Sequence, residues 1–445
     1  MNTLMVMPFT QPPVNGSVTL PGSKSITNRA LVLAALSRES LTLEGALFSE
    51  DTQIMVEALR QLGFTLSADE SGRTLFISGK GGTIPQAQAE LYVGNAGTAA
   101  RFLTAMLALR PEGSYTLDGT EAMRKRPMQG LLEALQANAA AETEYTGQSG
   151  HFPYTLKTHG YQGGAIAVDA TASSQILSAL LMTAPLAADE TVVELIGETV
   201  SIPFVAMTLA MMAQFGLAPE STDGGRYTFA GGGSYYYPRP AYVIEPDATA
   251  ASYFMALPMV AGGSLRLRNL GDISLQGDIG FTEVMQSLGL QSLAEGTDLC
   301  VSSGEPQLPQ TVYDFNAISD TFLTLAALAP LLPGPVTITG IAHTRKQETD
   351  RIHAMATELR KLGQAVEETE DSLSIQPDRE ALKRMTGDAP VAIDTYHDHR
   401  VAMSFGILGC YDLHGDGRPW ITINDPGCTA KTFPHFFDLL ESLRP

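Results

Sequence analysis

Apolar positions along the chain follow two alternating rhythms. The first is an amphipathic helical phrase, apolar at three- and four-residue spacing, that stops at Gly or Asn and runs into a strand-like stretch. It reads VEALRQLGFTL with Gly63, LLEALQANAAAE with Asn138, MTLAMMAQFGLAP with Gly216, FTEVMQSLGLQSL with Gly289 and MATELRKLGQAVEE with Gly363. Gly or Asn at these positions predicts a left-handed helix C-cap. Successive copies lie 73 to 78 residues apart, and a last copy, HFFDLLESLRP, closes the chain. The second phrase is a short helix that is apolar almost all round: ALVLAALS (30–37), RFLTAMLAL (101–109), ILSALLMTAPLA (176–187), ASYFMALPMVA (251–261), TFLTLAALAPLL (321–332) and VAMSFGILGC (401–410). A helix without a polar face is normally buried. β-rich stretches such as SLTLEGAL, TLFISG, TVVELIG, SLRLRNL, PVTITGI and PWITIND lie between the helices. Two phrases sharing one period predict six βαβ-type units, each with one buried and one amphipathic helix. Six units divide naturally into two domains of three.

The segments that lead into the six apolar helices carry the candidate chemistry. They are PGSKSITNR, GNAGTAAR, DATASSQ, EPDATA, AISD and YHDHR. Ser, Thr, Asp and Asn belong at helix N-caps, and capping accounts for Asp247 and Thr249. It does not account for Lys24, Arg29, Arg101 and Arg400. A cation at a helix start opposes the dipole unless an anion lies between them. The expectation is a protein that holds more than one anion among helix starts. Further cations stand in MRKRPM (Arg126), HTRKQETDR (Arg345, Lys346, Arg351) and DPGCTAKTF (Lys431). Arg offers a planar fork for carboxylate or phosphate, Lys a point charge. Asp320, Glu348 and Asp350 interleave carboxylates suited to acid–base work.

Composition narrows the class. The chain has 445 residues, 44% hydrophobic and 17% charged, which is globular and long enough for more than one domain. Its 28 Lys and Arg face 48 Asp and Glu, a net charge of -20. That argues against nucleic-acid binding, which needs a basic footprint. No apolar run approaches the length of a membrane span, and MNTLMVMPFTQPP does not read as a signal peptide. Cys300, Cys410 and Cys428 are too scattered for a disulfide framework or a zinc site, so a reducing cytoplasm is the expected location.

Familiar cofactor motifs fail on inspection. PGSKS places its Lys after one Gly and is too short for a P-loop; GNAGTA is not GxGxxG; no GxSxG elbow occurs. His397 and His399 lack a third ligand at recognisable spacing, so no metal is expected. Met207, Met211 and Met212 read as core.

The phrases LPGSKSITNRALVLAAL, GNAGTAARFL, RKRPM, TASSQILSALLMTAPLA, QGDI, QETDRIHAMATELRKLG, YHDHRVAMSF and DPGCTAKTFPHFF, running from about residue 20 to 440, closely resemble the 5-enolpyruvylshikimate-3-phosphate synthase family of enolpyruvyl transferases. The resemblance implies an α/β fold of two inside-out barrel domains. Each would hold three βαβαββ repeats with buried helices, and the active site would lie in the interdomain cleft. It places 1–21 with 244–445 in one domain and 22–243 in the other. It implies transfer of the enolpyruvyl group of phosphoenolpyruvate to the 5-hydroxyl of shikimate 3-phosphate, by addition and elimination. No cofactor or metal is implied. The expected partners are these two small molecules, with no nucleic acid and no membrane, and the expected state is a monomer.

By the same resemblance, Lys24, Gly97 (through its backbone), Arg126, Gln175, Arg351, Arg400 and Lys431 would hold phosphoenolpyruvate. Lys24, Ser25, Arg29, Ser173, Ser174, Gln175, Ser201, Asp320, His343 and Gln347 would hold shikimate 3-phosphate. Asp320 would act as base toward the hydroxyl. Glu348 would move the proton at the enolpyruvyl carbon, with Lys24 assisting. His399, beside Arg400, would either assist proton handling or orient its loop. The chain departs from the family phrase N-x-R-V-K-E-S/T-D-R. His343 stands where Asn is common and Gln347 where a substrate-contacting Lys is common, with Lys346 one residue away. Phe204 stands where Tyr often contacts the ring, and Phe102 where Pro commonly follows GNAGTAxR. Two alternatives stay open: the same chemistry on another phosphorylated ring acceptor, and a non-catalytic anion-binding scaffold. The sister enzyme acting on UDP-N-acetylglucosamine commonly carries a loop Cys near its RP motif, and GTEAMRKRPM has none.

Overall fold

The six apolar phrases fold as helices with almost no solvent-facing side. Every residue of Gly97–Leu107, Phe322–Leu328 and His399–Leu408 is buried. So is nearly every residue of Lys24–Leu36, Ser174–Thr183 and Ala248–Ala261. Burying a Leu or Phe side chain stabilises by about 1.5–3 kcal/mol, so these helices supply much of the core. The structure is a computed structural model that describes residues 2–10, 13–197, 201–271 and 274–444. It divides into two compact units: Gly22–Glu245, and Met1–Pro21 with Pro246–Pro445.

Unit 22–245 repeats one plan. Its second repeat reads strand Gln88–Tyr92, buried helix Gly97–Leu107, strand Gly113–Asp118, amphipathic helix Gln129–Ala137, then strands Ala141–Tyr145 and Tyr154–Thr158. The four strands form one sheet with one parallel and two antiparallel pairings. This is βαβαββ, and a parallel pair joined through a helix is the crossover such a unit requires. The first sheet takes its parallel strand from the far end of the unit: Ala241–Val243 pairs with Thr42–Glu44.

The second unit repeats the plan on its own core. Its first sheet borrows strand Val14–Val18, parallel to Gly263–Leu267. Its last has three described strands, and the N-terminal strand Thr3–Val6 pairs antiparallel with Ile421–Asn424. The chain's first strand thus occupies the place that the other sheets fill from within their own repeat. Among the described residues, no helix is long and apolar enough to cross a membrane.

Two expectations need correction. The buried helices start earlier than their apolar runs, at Lys24, Gly97, Ser174, Ala248 and His399. The polar lead-ins are therefore the first turn itself. Lys24 and Arg400 do lie in first turns, whereas Arg29 and Arg101 lie one turn in, where the dipole argument has faded. The helix stops at Gly63, Gly216, Gly289 and Gly363 are left-handed, with φ between 78° and 106°. Asn138 is not: it has φ -80° and spends its amide on the Gly163 carbonyl. Ala139, one residue on, takes the left-handed turn at φ 58°, at a cost of about 1 kcal/mol for its β-carbon.

Candidate active site

Unit 22–245 brings the predicted anion-binding residues to the starts of its three buried helices. Ser23 caps the first, its hydroxyl accepting from the Ile26 N–H. The Lys24 ammonium lies 3.4 Å from Asp51, a carboxylate in the first turn of helix Glu50–Gln61. At the start of the second, a β-carbon on Gly97 would lie 2.5 Å from Arg126 Nη2 and 2.8 Å from Arg101 Nη1. Only a bare backbone fits under the two guanidiniums. Arg101 is spent on the Gly97 and Pro127 carbonyls, while Arg126 reaches the Asn95 carbonyl only at 3.5 Å. At the third, the Ser173 hydroxyl accepts from the Gln175 N–H. Gln175 Oε1 is buried without a hydrogen-bond partner among the described residues. Ser174 is buried beside it, and Ser201, buried and left-handed at φ 54°, precedes helix Ile202–Gln214.

Arg29 is a different kind of cation. It is 1% exposed, and Nε donates to Thr208 at 2.7 Å, Nη1 to the Ser25 carbonyl at 3.1 Å, and Nη2 to Ser178 and the Phe204 carbonyl. Its guanidinium lies 5.1 Å from the Phe102 ring and 5.9 Å from the Phe204 ring. Burial lowers its pKa to about 9. Both aromatic departures noted in the sequence thus line this one side chain. Most of its donors are already spent holding helices Lys24–Leu36, Ser174–Thr183 and Ile202–Gln214 to one another.

The other unit gathers an alternating chain of charges. Asp350 caps helix Arg351–Lys361, accepting from the His353 N–H, and Arg351 follows as its first residue. Arg351 Nη1 donates to Asp320 at 2.9 Å, Nη2 to Glu348 at 2.9 Å and Nε to Asp398 at 2.7 Å. Arg400 Nη2 donates to the other Asp320 oxygen at 2.7 Å, and Lys431 Nζ lies 3.3 Å from Glu348. Asp398 and Arg351 have side-chain exposures of 0 and 2%, so the pair sits in a low-dielectric interior. Burial by itself would lower the pKa of both arginines. Asp398, Glu348 and Asp320 outweigh it for Arg351, and Asp320 leads the opposition for Arg400, so both are raised and stay charged. Asp320 and Glu348 each bridge two cations. An incoming anion can therefore take a carboxylate's place on the forks and leave it free to accept a proton.

The neighbours sort themselves around this cluster. Gln347 turns its carbonyl onto Arg351, and His343 Nε2 lies 2.8 Å from Ser319 Oγ, with its pKa lowered by burial despite Asp320. Lys346 is exposed, and Arg345 pairs with Asp350 at 2.7 Å rather than with the cluster. The two histidines of HDH separate: His397 is exposed and lies 2.8 Å from Asp425, while His399 is buried with Nδ1 3.7 Å from Asp398.

Three carboxylates of these clusters went unassigned in the sequence. Asp398 belongs to the lead-in YHDHR, and its place beside Arg400 was the available signal; Asp51 opens the amphipathic helix Glu50–Gln61, where no neighbouring cation marked it. Asp278, in the QGDI phrase, accepts from the Thr249 hydroxyl. Asp247 caps that helix, accepting from the Ala250 N–H at 2.8 Å, and Gln276 Oε1 accepts from the Ala248 N–H at 3.0 Å, so capping does not account for Thr249. Burial, reinforced by the charge on Asp320 and opposed by Thr249, pushes the Asp278 carboxyl up to about 7.

The sequence profile described as EPSP synthase (3-phosphoshikimate 1-carboxyvinyltransferase) matches residues 9–440. A 3-phosphoshikimate 1-carboxyvinyltransferase of Opitutus terrae is 51% identical over 99% of this chain and 97% of its own. The enzyme of that name from Trichormus variabilis is 45% identical over 98% of each chain. Among solved structures, EPSP synthase from Acinetobacter baumannii superposes with a TM-score of 0.78 at 25% identity, covering 100% of this chain and 98% of that one. The match spans nearly the whole chain, so the chain belongs to the EPSP synthase (3-phosphoshikimate 1-carboxyvinyltransferase) family.

Proposed function

We propose that the chain transfers the enolpyruvyl group of phosphoenolpyruvate to the 5-hydroxyl of shikimate 3-phosphate and releases phosphate, the reaction of its family. The observation that carries this reading is the alternating run Lys431–Glu348–Arg351–Asp320–Arg400, in which two carboxylates bridge three buried cations. Buried cations need counter-ions in any site, but carboxylates that an arriving anion can displace also supply the proton carriers this reaction needs.

Arg351, Arg400 and Lys431, with Lys24, Arg126, Gln175 and the Gly97 backbone, hold phosphoenolpyruvate. Arg351 and Arg400 take its carboxylate, which displaces Asp320. Asp320 then removes the proton from the 5-hydroxyl as its oxygen bonds to the enol carbon. Glu348, with Lys24 assisting, delivers a proton to the methylene carbon, giving a tetrahedral adduct. Loss of a methyl proton to the same carboxylate and departure of phosphate restore the double bond. Ser25, Ser173, Ser174, Gln175 and Ser201 hold shikimate 3-phosphate, with His343 and Gln347. Arg29 acts on the acceptor through its remaining Nη1 hydrogen and by fixing the helix that bears Ser173 and Ser174. His399 orients its loop through Asp398. The two compact units are read as domains of three repeats each, in a monomer of the cytoplasm that needs no cofactor.

Phosphate release with phosphoenolpyruvate plus shikimate 3-phosphate, and with each alone, tests the reading. Release only with both supports it, and none with both sinks it. A different phosphorylated ring acceptor is the second reading. It is favoured by Gln347, which turns its carbonyl onto Arg351, and by Phe204, which covers Arg29. Release with another ring phosphate but not with shikimate 3-phosphate would select it.

A further inference from the structure

Glu358 is a buried carboxylate for which the proposed reaction has no use. It lies on helix Arg351–Lys361, two turns beyond Arg351, with its side chain 0% exposed. Oε1 accepts from the Tyr396 hydroxyl at 2.6 Å; Oε2 accepts from the Asp394 backbone N–H at 3.1 Å and lies 2.9 Å from the Lys361 ammonium. Lys361 also reaches the Asp394 carboxylate at 2.6 Å, and Asn424 donates to its other oxygen at 2.7 Å. Glu358 thus holds the backbone of residue 394 and the ring of residue 396, whereas Lys361 ties only the exposed Asp394 carboxylate.

The loop is strained where this stretch ends. Tyr396 and His397 are both left-handed, with φ 55° and 56°. Side chains larger than glycine rarely adopt that region, and two in succession persist only where the surroundings over-determine them. The next residue is Asp398, which accepts the Arg400 N–H at 2.9 Å, caps helix His399–Leu408 and receives Arg351 Nε. Helix Arg351–Lys361 therefore grips this loop twice, at its entry through Glu358 and at its exit through Arg351.

We propose that Glu358 is a positioning residue for the two site arginines. By clamping Asp394 and Tyr396 it holds the left-handed pair that aims Asp398, and Asp398 sets both the Arg351 fork and the start of the helix bearing Arg400. Glu358 touches no substrate. The inference rests on the reading that Arg351 and Arg400 receive phosphoenolpyruvate.

Glu358→Met keeps the length and bulk but removes both oxygens; glutamine would not serve, because the Tyr396 hydroxyl can turn to accept from an amide N–H2 while the amide oxygen keeps the Asp394 N–H. Tyr396→Phe removes the Tyr396 half alone without changing shape. Lys361→Met is the control, since it removes the ion pairs but leaves the bonds from the Asp394 N–H and the Tyr396 hydroxyl to Glu358. All three are made in the full chain and assayed with phosphoenolpyruvate and shikimate 3-phosphate, alongside thermal melting. The expected result is a KM for phosphoenolpyruvate raised about tenfold in Glu358→Met and several-fold in Tyr396→Phe. The KM for shikimate 3-phosphate should stay within about twofold, and the double variant should be no worse than Glu358→Met alone. Lys361→Met should melt lower with an unchanged KM. If Glu358→Met does not fold, Tyr396→Phe still decides. A phosphoenolpyruvate KM within about twofold of wild type in both clamp variants, or both KM values rising together, overturns the proposal. An inactive wild type would instead overturn the reading of the reaction.

Discussion

Asp320 and Arg400 lie 80 residues apart in sequence, and their side chains meet at 2.7 Å. The second Asp320 oxygen is held by Arg351 at 2.9 Å, so the proposed base is pinned by the same two guanidiniums proposed to receive phosphoenolpyruvate. Base and anion compete for one pair of forks. Asp320→Asn should therefore separate binding from chemistry. Turnover should fall by about 10²–10⁴-fold, the range of a lost general base. The Kd for phosphoenolpyruvate should hold or tighten, because the amide competes less well for the arginines. Calorimetric titration beside steady-state rates checks this, and a Kd weakened as much as the rate contradicts the competition.

Glu348 bridges Arg351 at 2.9 Å and Lys431 at 3.3 Å. Glu348→Gln keeps the shape and an acceptor for Arg351 but cannot carry the proton. Turnover should drop by about 10²-fold or more, with a far smaller change in substrate binding. Single-turnover rates at saturating substrates read this directly. Equal losses in rate and binding would make Glu348 a structural counter-ion.

The buried helices were legible because a helix without a polar face has nowhere to go but the core, and the shared period made the repeat visible. Their starts were not, because the first turns of Lys24–Leu36 and Gly97–Leu107 are polar or small and look like loop. That displaced Arg29 and Arg101 by a turn, out of reach of the helix-start argument, and the bonds to Thr208, Ser178 and backbone carbonyls leave Arg29 a single Nη1 hydrogen for an acceptor. The pairing of Thr3–Val6 with Ile421–Asn424 joins the two ends of the sequence, and no local pattern encodes a register that distant. Asp278 lies within the QGDI phrase, but its role was not legible there, because its setting comes from Thr249 and Asp320, neither of them near it in sequence.

Asp278 also makes stability depend on pH in a defined direction. Its folded pKa of about 7 lies above the ordinary carboxylate value, so between about pH 4 and 7 the folded state keeps a proton that the unfolded state gives up. The contribution is full below the unfolded pKa and is lost as pH rises through 7. Asp278→Asn retains an acceptor for Thr249 and does not titrate. Relative to wild type, it should gain stability on going from pH 5 to pH 8. Urea unfolding at both values, taken as the difference between the two proteins, cancels the groups they share. A difference that does not change with pH would mean Asp278 is ionised throughout.

Gly97 offers the most localised test of the anion site in unit 22–245. A β-carbon there would stand 2.5 Å from Arg126 Nη2 and 2.8 Å from Arg101 Nη1. Arg101 is anchored on two carbonyls, whereas among the described residues Arg126 is held by a single 3.5 Å contact, so Arg126 is the one that yields. Gly97→Ala should therefore fold, since alanine is the better helix former by about 1 kcal/mol and the displaced atoms are the tip of a flexible side chain. Affinity for phosphoenolpyruvate should fall by about tenfold as the Arg126 fork leaves the helix start, a loss of about 1.4 kcal/mol. Shikimate 3-phosphate binding, assigned to the Ser173–Gln175 segment, should be unaffected. Binding isotherms for each ligand alone, with melting curves for the fold, decide it. Unchanged phosphoenolpyruvate affinity in a folded variant would remove Gly97 and Arg126 from the site together.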